Sequence, residues 1–128
     1  MSFFYEPVNL NTWNMFEKVS APGHVETFLA TSAMKPGDMV LLYVGNQNPK
    51  YKSGIYAVGE VLTEPYIVEC DPDDYCNNKK SVDVKITKID YANPFIEGAD
   101  CKDFIKPYQS VHKIKLEYEG YIASRIEK

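Results

Sequence analysis

The chain of 128 residues is long enough for one domain with its own hydrophobic core, and we predict a single domain over residues 1–128. Its hydrophobic fraction of 45% and charged fraction of 25% are those of an ordinary globular protein. The net charge of −4 and the single arginine, Arg125, argue against a protein that coats nucleic acid by bulk electrostatics.

The cysteines and histidines favour a protein without metal. Cys70, Cys76 and Cys101 are odd in number and lack the C-x-x-C spacing. Because the sequence also has no signal peptide and no long apolar span, we expect a reduced, cytoplasmic protein with no membrane partner. His24 and His112 lie far apart in the chain, so we expect neither a zinc site nor a cofactor.

The N-terminal part of the chain predicts one strand followed by two helices. Residues 2–8 read as a strand that ends at Pro7. Residues 12–19 predict a short helix, because their apolar residues recur at three-residue spacing. Residues 25–33 predict a second helix, because their apolar residues recur at i, i+3, i+4, i+7 and i+8.

A long hairpin forms the centre of the prediction. The K-P-G-D sequence at 35–38 is turn chemistry, in which proline presets one backbone angle and glycine allows the reversal. Residues 39–44 are almost wholly apolar, which is typical of a strand buried on both faces. A polar loop follows, and residues 54–62 form the returning strand. Gly59 inside that strand predicts a bulge or a sharp bend.

The segment 67–80 has turn chemistry and no regular element. Its acidic run at 71–74 raises the question of a calcium loop. An EF-hand counted from Asp71 needs glycine at its sixth position and glutamate at its twelfth, where this chain has Cys76 and Val82. We therefore predict no calcium site.

The C-terminal part predicts two further strands and a helix. Residues 81–86 alternate apolar and polar side chains, with a bulge or the strand's end near residues 87–88. A helical turn is expected at 99–105, a last strand at 110–116 and a helix at 117–127. The order of these elements predicts a small mixed or antiparallel barrel of the α+β class.

Three segments in this order resemble the EVE domain of the PUA-like superfamily. They are M-K-P-G-D-M-V-L-L-Y-V-G at 34–45, S-G-I-Y-A-V-G-E-V-L-T-E-P-Y at 53–66 and V-D-V-K-I at 82–86. The Y-E-P sequence at 5–7 is similar to the family's E-P after its first strand. The resemblance implies a PUA-like small mixed β-barrel of about five to six strands, with two N-terminal helices and a C-terminal helix packed at its sides.

The resemblance also implies a function. Relatives hold a modified or flipped base in a partly aromatic pocket between the early helices and the barrel. The positions that match this pocket are Tyr5, Trp13, Tyr43, Asn46, Asn48 and Tyr56, with Lys50 and Lys52 placed to contact phosphates. Each has a plainer interpretation as well, since aromatic residues also fill cores, asparagines form turns, and lysines cover solvated loops.

The predicted function is therefore a non-catalytic nucleic-acid-binding module, whose partners are a modified DNA or RNA base and a separate effector protein. A small-ligand or protein-interaction domain is the alternative. A nucleic-acid-processing enzyme of the ASCH type is a further one. We expect no enzymatic activity, because the sequence contains no G-x-S-x-G, no glycine-rich phosphate loop and no metal-ligand constellation.

Overall fold

The computed structural model describes residues 2–46, 48–69, 78–105 and 110–127. The predicted acidic turn at 71–74 lies outside the described residues, as do Cys70 and Cys76. The described residues form eight strands, two α-helices and two 3-10 turns. In chain order these are β1 (Phe3–Val8), α1 (Met15–Lys18), β2 (Val25–Leu29), β3 (Met39–Val44), β4 (Gly54–Val61), β5 (Tyr66–Ile67), β6 (Lys80–Ile89), β7 (Ile96–Glu97), a 3-10 turn (Gly98–Cys101), β8 (His112–Lys113), a 3-10 turn (Leu116–Tyr118) and α2 (Glu119–Ile126).

All the strands belong to one mixed sheet, in the order β2-β6-β4-β3-β1-β8. The two-residue strands β5 and β7 pair with β6 and β4. The pair β1–β3 is parallel, and the other pairs are antiparallel. The sheet curls into a half-barrel with few helices, which agrees with the predicted small mixed barrel of the PUA-like type.

The central hairpin forms as predicted. Strands β3 and β4 pair antiparallel across the polar loop. In the turn before β3, Asp38 N–H donates to the Lys35 carbonyl at 3.0 Å, and Gly37 has a φ of +94°. A type II turn requires this left-handed conformation at its third residue, which explains why glycine follows proline there.

Two bulges bend the long strands. Tyr56 is the extra residue of β4 opposite β3, because Leu42 pairs with Ala57 and Tyr43 with Ile55. Thr87 is the extra residue of β6, opposite the Val58–Gly59 step of β4. The predicted irregularities at Gly59 and near residues 87–88 are therefore confirmed and are one feature, seen from two paired strands.

The sheet buries apolar side chains on both faces. Successive residues of β3 alternate between two clusters, with Leu42 in the first and Leu41 in the second. The first cluster contains Met15 and Val19 from α1 and its C-terminal cap. The second contains Ile122 from α2. The almost wholly apolar sequence of β3 follows from this burial on both faces.

The second predicted helix, at 25–33, is wrong. Residues Val25–Leu29 form the strand β2, which pairs antiparallel with β6 from Val25–Lys85 to Leu29–Ser81. Val25 and Thr27 are β-branched and lose side-chain freedom in a helix, while β6 offers a full ladder of backbone partners. The expected pair of N-terminal helices is therefore one short helix.

The two-residue strands β5 and β7 were not predicted, and β5 reaches into the segment 67–80 that was expected to have no regular element. The other predicted elements differ mainly in their length. The first helix covers Met15–Lys18 instead of 12–19, because Asn14 caps it by accepting a hydrogen bond from Phe16 N–H at 3.2 Å. The last strand is limited to His112–Lys113, and Leu116 is 78% exposed at the start of a 3-10 turn. The helix α2 covers Glu119–Ile126 within the predicted 117–127, and the 3-10 turn after β7 covers Gly98–Cys101 where a helical turn was expected at 99–105.

Candidate functional site

A cleft of about 370 Å³ opens where the ends of β1 and β2 meet the start of β6 and the segment before β8. We call it the Glu6 cleft. It is lined by Glu6, Pro7, Leu29, Ala30, Thr31, Lys79, Lys80, Ser110 and Val111. Its volume lies within the range of about 300–1,000 Å³ that is usual for small-molecule sites. The walls combine aliphatic side chains with two hydroxyls, two ammonium groups and one carboxyl.

The carboxyl group of Glu6 is the unusual feature of this cleft. Glu6 is 2% exposed, and its Oε2 atom is buried with no hydrogen-bond partner among the described residues. Burial removes the hydration of the charged form and raises the pKa of Glu6 well above its ordinary value of 4.5. The neutral carboxylic acid is therefore favoured. A buried polar group without a partner costs roughly 1–3 kcal/mol, and such groups cluster at functional sites.

The strand β1 explains why a glutamate lies there. Residues Phe3 and Tyr5 point to the second cluster, while Phe4 and Val8 point to the first. Glu6 shares the face of Phe4 and Val8 by alternation. Its carboxyl group thus enters the apolar interior at the point where the cleft reaches β1.

Lys79 and Lys80 bring positive charge to the same cleft, and both are exposed. The Lys80 ammonium donates to the Ser32 hydroxyl, and the Lys80 carbonyl accepts from Ala30 N–H at 3.0 Å. These bonds fix the end of β2 against the start of β6. Lysine side chains are flexible and carry a point charge, which suits them to contact an anionic group.

A second cleft, of about 380 Å³, lies at the C-terminal end of β3 beside the 3-10 turn after β7. We call it the Tyr43 cleft. It is lined by Tyr43, Gly45, Asn46, Ser53, Gly98, Ala99 and Lys102. Gly98 permits the close packing there, since a Cβ atom on it would lie 2.4 Å from Ser53 Oγ and 2.8 Å from Tyr43 Oη.

The predicted pocket residues divide between several places. Tyr43 and Asn46 meet in the Tyr43 cleft. Tyr5 is fully buried in the second cluster, with its ring centroid 5.6 Å from that of Tyr43. Tyr56 is 1% exposed in the first cluster, and its hydroxyl donates to the Lys52 carbonyl at 2.8 Å. The structure therefore places Tyr56 on one face of the sheet and Tyr5 and Tyr43 on the other.

The other predicted residues lie on the outside of the first cluster or in the loop after β3. Trp13 is half-buried and packs edge-on against Phe28, with a centroid distance of 5.5 Å. Asn48 shapes the loop by accepting from Lys50 N–H at 3.0 Å. The Lys50 ammonium lies 5.4 Å from the ring centroid of Tyr51. The Lys52 ammonium lies 3.2 Å from a Glu97 carboxylate oxygen, and the two side chains form an exposed ion pair.

Sequence reasoning did not select Glu6 or Thr31. The signal for Glu6 was present, because an ionisable residue interrupts the apolar run F-F-Y-E-P-V of a predicted strand. Such a residue is costly to bury, so it is informative when it lies within a strand of mainly core residues. Lys79 and Lys80 are a visible pair in the sequence, but only the fold brings them to Glu6.

The described part of the chain was also searched for a metal site and for a membrane-spanning helix. There, no group of three histidine, cysteine, aspartate or glutamate side chains could hold a metal ion. The described residues also contain no helix that is both long and apolar enough to cross a membrane.

The fold and the clefts define a PUA-like half-barrel, and its relatives identify the family. The family model for the EVE domain matches residues 13–120. The chain therefore belongs to the EVE domain family, as its motifs predicted. Domains of this type often bind nucleic acid.

Solved structures with the same fold come from distant organisms. A protein from Rhodopseudomonas palustris has a TM-score of 0.65 at 19% identity, covering 98% of this chain and 92% of its own. A hypothetical protein from Leishmania major has a TM-score of 0.69 at 17% identity, covering 99% and 95%. A protein from Pseudomonas syringae has a TM-score of 0.68 at 15% identity, covering 97% and 99%. No curated protein matches the chain significantly.

Proposed function

We propose that this chain is a non-catalytic nucleic-acid-binding module that holds one flipped or single-stranded base, modified or unmodified, in the Glu6 cleft. Lys79 and Lys80 contact the neighbouring phosphates. Membership of the EVE domain family supports a nucleic-acid role. The cleft supports the location, since it joins apolar walls, hydroxyl groups and positive charge in a space of about 370 Å³.

The observation that carries the proposal is the buried carboxyl group of Glu6. An unpartnered polar atom inside an apolar cluster destabilises the fold, while a ligand edge that hydrogen-bonds to it recovers that loss. The neighbouring aliphatic side chains, Leu29 and Val111, suit the flat apolar faces of a base. Thr31 and Ser110 add hydroxyls that can donate or accept at its edge.

The charge of the chain sets the expected strength of binding. A net charge of −4 repels a polyanion, so ordinary single strands bind weakly and selectivity depends on the cleft. Two lysine–phosphate contacts give a slope of about −1.4 for log K against log salt, at about −0.7 per phosphate for single strands. A methyl group that fills empty space in the cleft adds about 0.8 kcal/mol.

Binding is measured by fluorescence anisotropy at low salt, with short labelled DNA and RNA strands that each carry one modified or unmodified base. The double variant Lys79→Ala/Lys80→Ala should weaken binding and flatten the salt dependence. The matched control is Lys50→Ala/Lys52→Ala, which removes the same charge from the loop after β3. Mass spectrometry of the recovered strands should show no turnover.

The outcomes separate the two lysine pairs. Loss of binding in the control alone would move the phosphate contacts to Lys50 and Lys52 and refute the Glu6 cleft as the site. Absence of binding to every strand would refute the nucleic-acid role. A free nucleoside that competes as well as a strand would instead support a small-ligand domain. The cleft has only two lining lysines, which also favours that alternative function.

A further inference from the structure

The ionisation state of Glu6 determines which ligand edge it can recognise. Among the described residues, Lys52 forms an ion pair with Glu97 and the His24 ring lies 2.7 Å from a Glu26 carboxylate oxygen, and neither contact involves Glu6. Lys80 lines the same cleft, but its ammonium group donates to the Ser32 hydroxyl and not to Glu6. Glu6 is thus buried without an opposite charge, and an isolated buried carboxylate is costly, so the arrangement favours the neutral acid.

A neutral acid and a carboxylate present different hydrogen-bonding patterns. A carboxylate only accepts, so it matches two adjacent donors, as on the edge of guanine. A carboxylic acid donates with one oxygen and accepts with the other, so it matches one donor beside one acceptor. Cytosine and adenine offer an amino group beside a ring nitrogen, whereas guanine and thymine offer a ring N–H beside a carbonyl oxygen. An aromatic ring nitrogen is a stronger acceptor than a carbonyl oxygen, which favours an amino group beside a ring nitrogen.

We infer that Glu6 meets the edge of the bound base as a neutral carboxylic acid, so that the cleft selects bases with an amino donor beside a ring-nitrogen acceptor, as in cytosine and adenine. This inference rests on the proposed function and adds the class of ligand. The Glu6 hydroxyl donates to the ring nitrogen, and its carbonyl oxygen accepts from the amino group. No covalent bond changes.

The same pattern separates the modifications that the cleft accepts from those that it rejects. A substituent on a ring carbon leaves both hydrogen bonds in place. One methyl group on the amino nitrogen leaves one N–H, which is sufficient. A methyl group on the ring nitrogen removes the acceptor and adds a positive charge, so we expect it to abolish binding.

The test compares three proteins, wild type, Glu6→Gln and Glu6→Leu, after urea unfolding has shown that each is folded. Glutamine keeps one donor and one acceptor in nearly the same shape, whereas leucine keeps neither. The probes are short oligothymidine strands with one central cytosine, adenine or guanine, and an all-thymine strand as the baseline. We expect wild type and Glu6→Gln to bind cytosine or adenine about tenfold more tightly than guanine, and Glu6→Leu to lose that preference.

Each result has a distinct meaning. If wild type prefers guanine, or if Glu6→Gln loses binding as Glu6→Leu does, Glu6 acts as a carboxylate and the inference is overturned while the base-binding function stands. The inference is also overturned, with the function intact, if all three proteins bind alike. If no protein binds any strand, both are overturned.

The protonation of Glu6 has a direct readout that needs no ligand. Carbon NMR of the glutamate side-chain carboxyl groups, assigned with Glu6→Gln, should show Glu6 protonated at pH 7. The titratable groups that line the cleft are Lys79 and Lys80 at the start of β6. His112 of the neighbouring strand β8 pairs with Tyr5, and its ring contacts the Tyr5 ring on the other face of the sheet. A Glu6 carboxyl that is ionised at pH 7 would overturn the inference.

Discussion

Replacing Glu6 by glutamine should make the protein more stable at neutral pH, because glutamine has nearly the same shape but does not ionise. Burial raises the pKa of Glu6 in the folded protein well above 4.5. Above pH 4.5 the unfolded chain therefore releases the Glu6 proton while the folded protein keeps it. The stability contribution of Glu6 is fully present below the unfolded pKa, and it is lost as the pH rises towards the folded pKa.

The size of the effect follows from linkage. The loss is about 1.4 kcal/mol for each pH unit between the two pKa values. Glutamine does not titrate, so the stability difference between Glu6→Gln and wild type isolates Glu6 from all other ionisable groups. We expect this difference to grow by about 1.4 kcal/mol from pH 5 to pH 6, and again from pH 6 to pH 7 while the folded pKa lies higher.

The assay is urea unfolding of both proteins at pH 5, 6 and 7, followed by the same spectroscopic signal. A stability difference that is constant across this range would refute the raised pKa of Glu6. A variant that becomes less stable relative to wild type as the pH rises would show that the folded protein prefers the carboxylate. Either result would remove the main support for the Glu6 cleft as a site.

Further changes test the packing on which this account depends. Gly59→Ala places a Cβ atom 2.3 Å from Val84 Cγ1 and should cost about 1–3 kcal/mol by urea unfolding. The matched change Gly120→Ala meets nothing within 4 Å in helix α2 and should stabilise by about 0.5 kcal/mol; a comparable loss there would contradict the packing argument. Asp38→Ala should cost about 2 kcal/mol, because the carboxylate accepts from two backbone N–H groups, and an unchanged midpoint would count against those bonds. Burial raises the pKa of the Cys101 thiol to about 12, so with the other two cysteines changed to serine it should resist alkylation at pH 8 until urea unfolds the protein, and rapid native labelling would disprove its burial.

The sequence predicted most accurately those elements that local chemistry determines. The 35–38 turn needs only a proline and a glycine in adjacent positions, and β3 is recognisable because its residues are almost wholly apolar. The bulge near Thr87 was visible because Ile89 departs from the alternation of the preceding residues. These features depend on neighbours in the chain, so no knowledge of the fold was needed.

The strand β2 could not be recognised in the same way. Five residues of mixed polarity fit a helical period and a strand period equally, and the partner that decides between them, β6, lies more than 50 residues further along the chain. Strand pairing at this distance provides backbone hydrogen bonds that a local pattern does not reveal.

The candidate site was predicted only in part for a related reason. Tyr5 and Tyr56 both belong to strands that the sequence identifies, but the face of the sheet that each one occupies depends on register. The bulge at Tyr56 sets that register in β4, and nothing in the sequence around it shows the shift. The family resemblance indicated the kind of function, while the packing of β1 against the ends of β2 and β6 indicated where the unpaired carboxyl lies.

The most direct test of the central claim is an NMR titration of the isotope-labelled protein with a short single strand that carries one cytosine. We predict that the largest shift changes occur in the Glu6 cleft, at Glu6, Thr31, Lys79 and Lys80, and that Glu6→Leu abolishes them. Changes confined to the Tyr43 cleft, around Asn46 and Lys102, would contradict the claim and place the site beside the 3-10 turn after β7. An unchanged spectrum at low salt would contradict the nucleic-acid role itself.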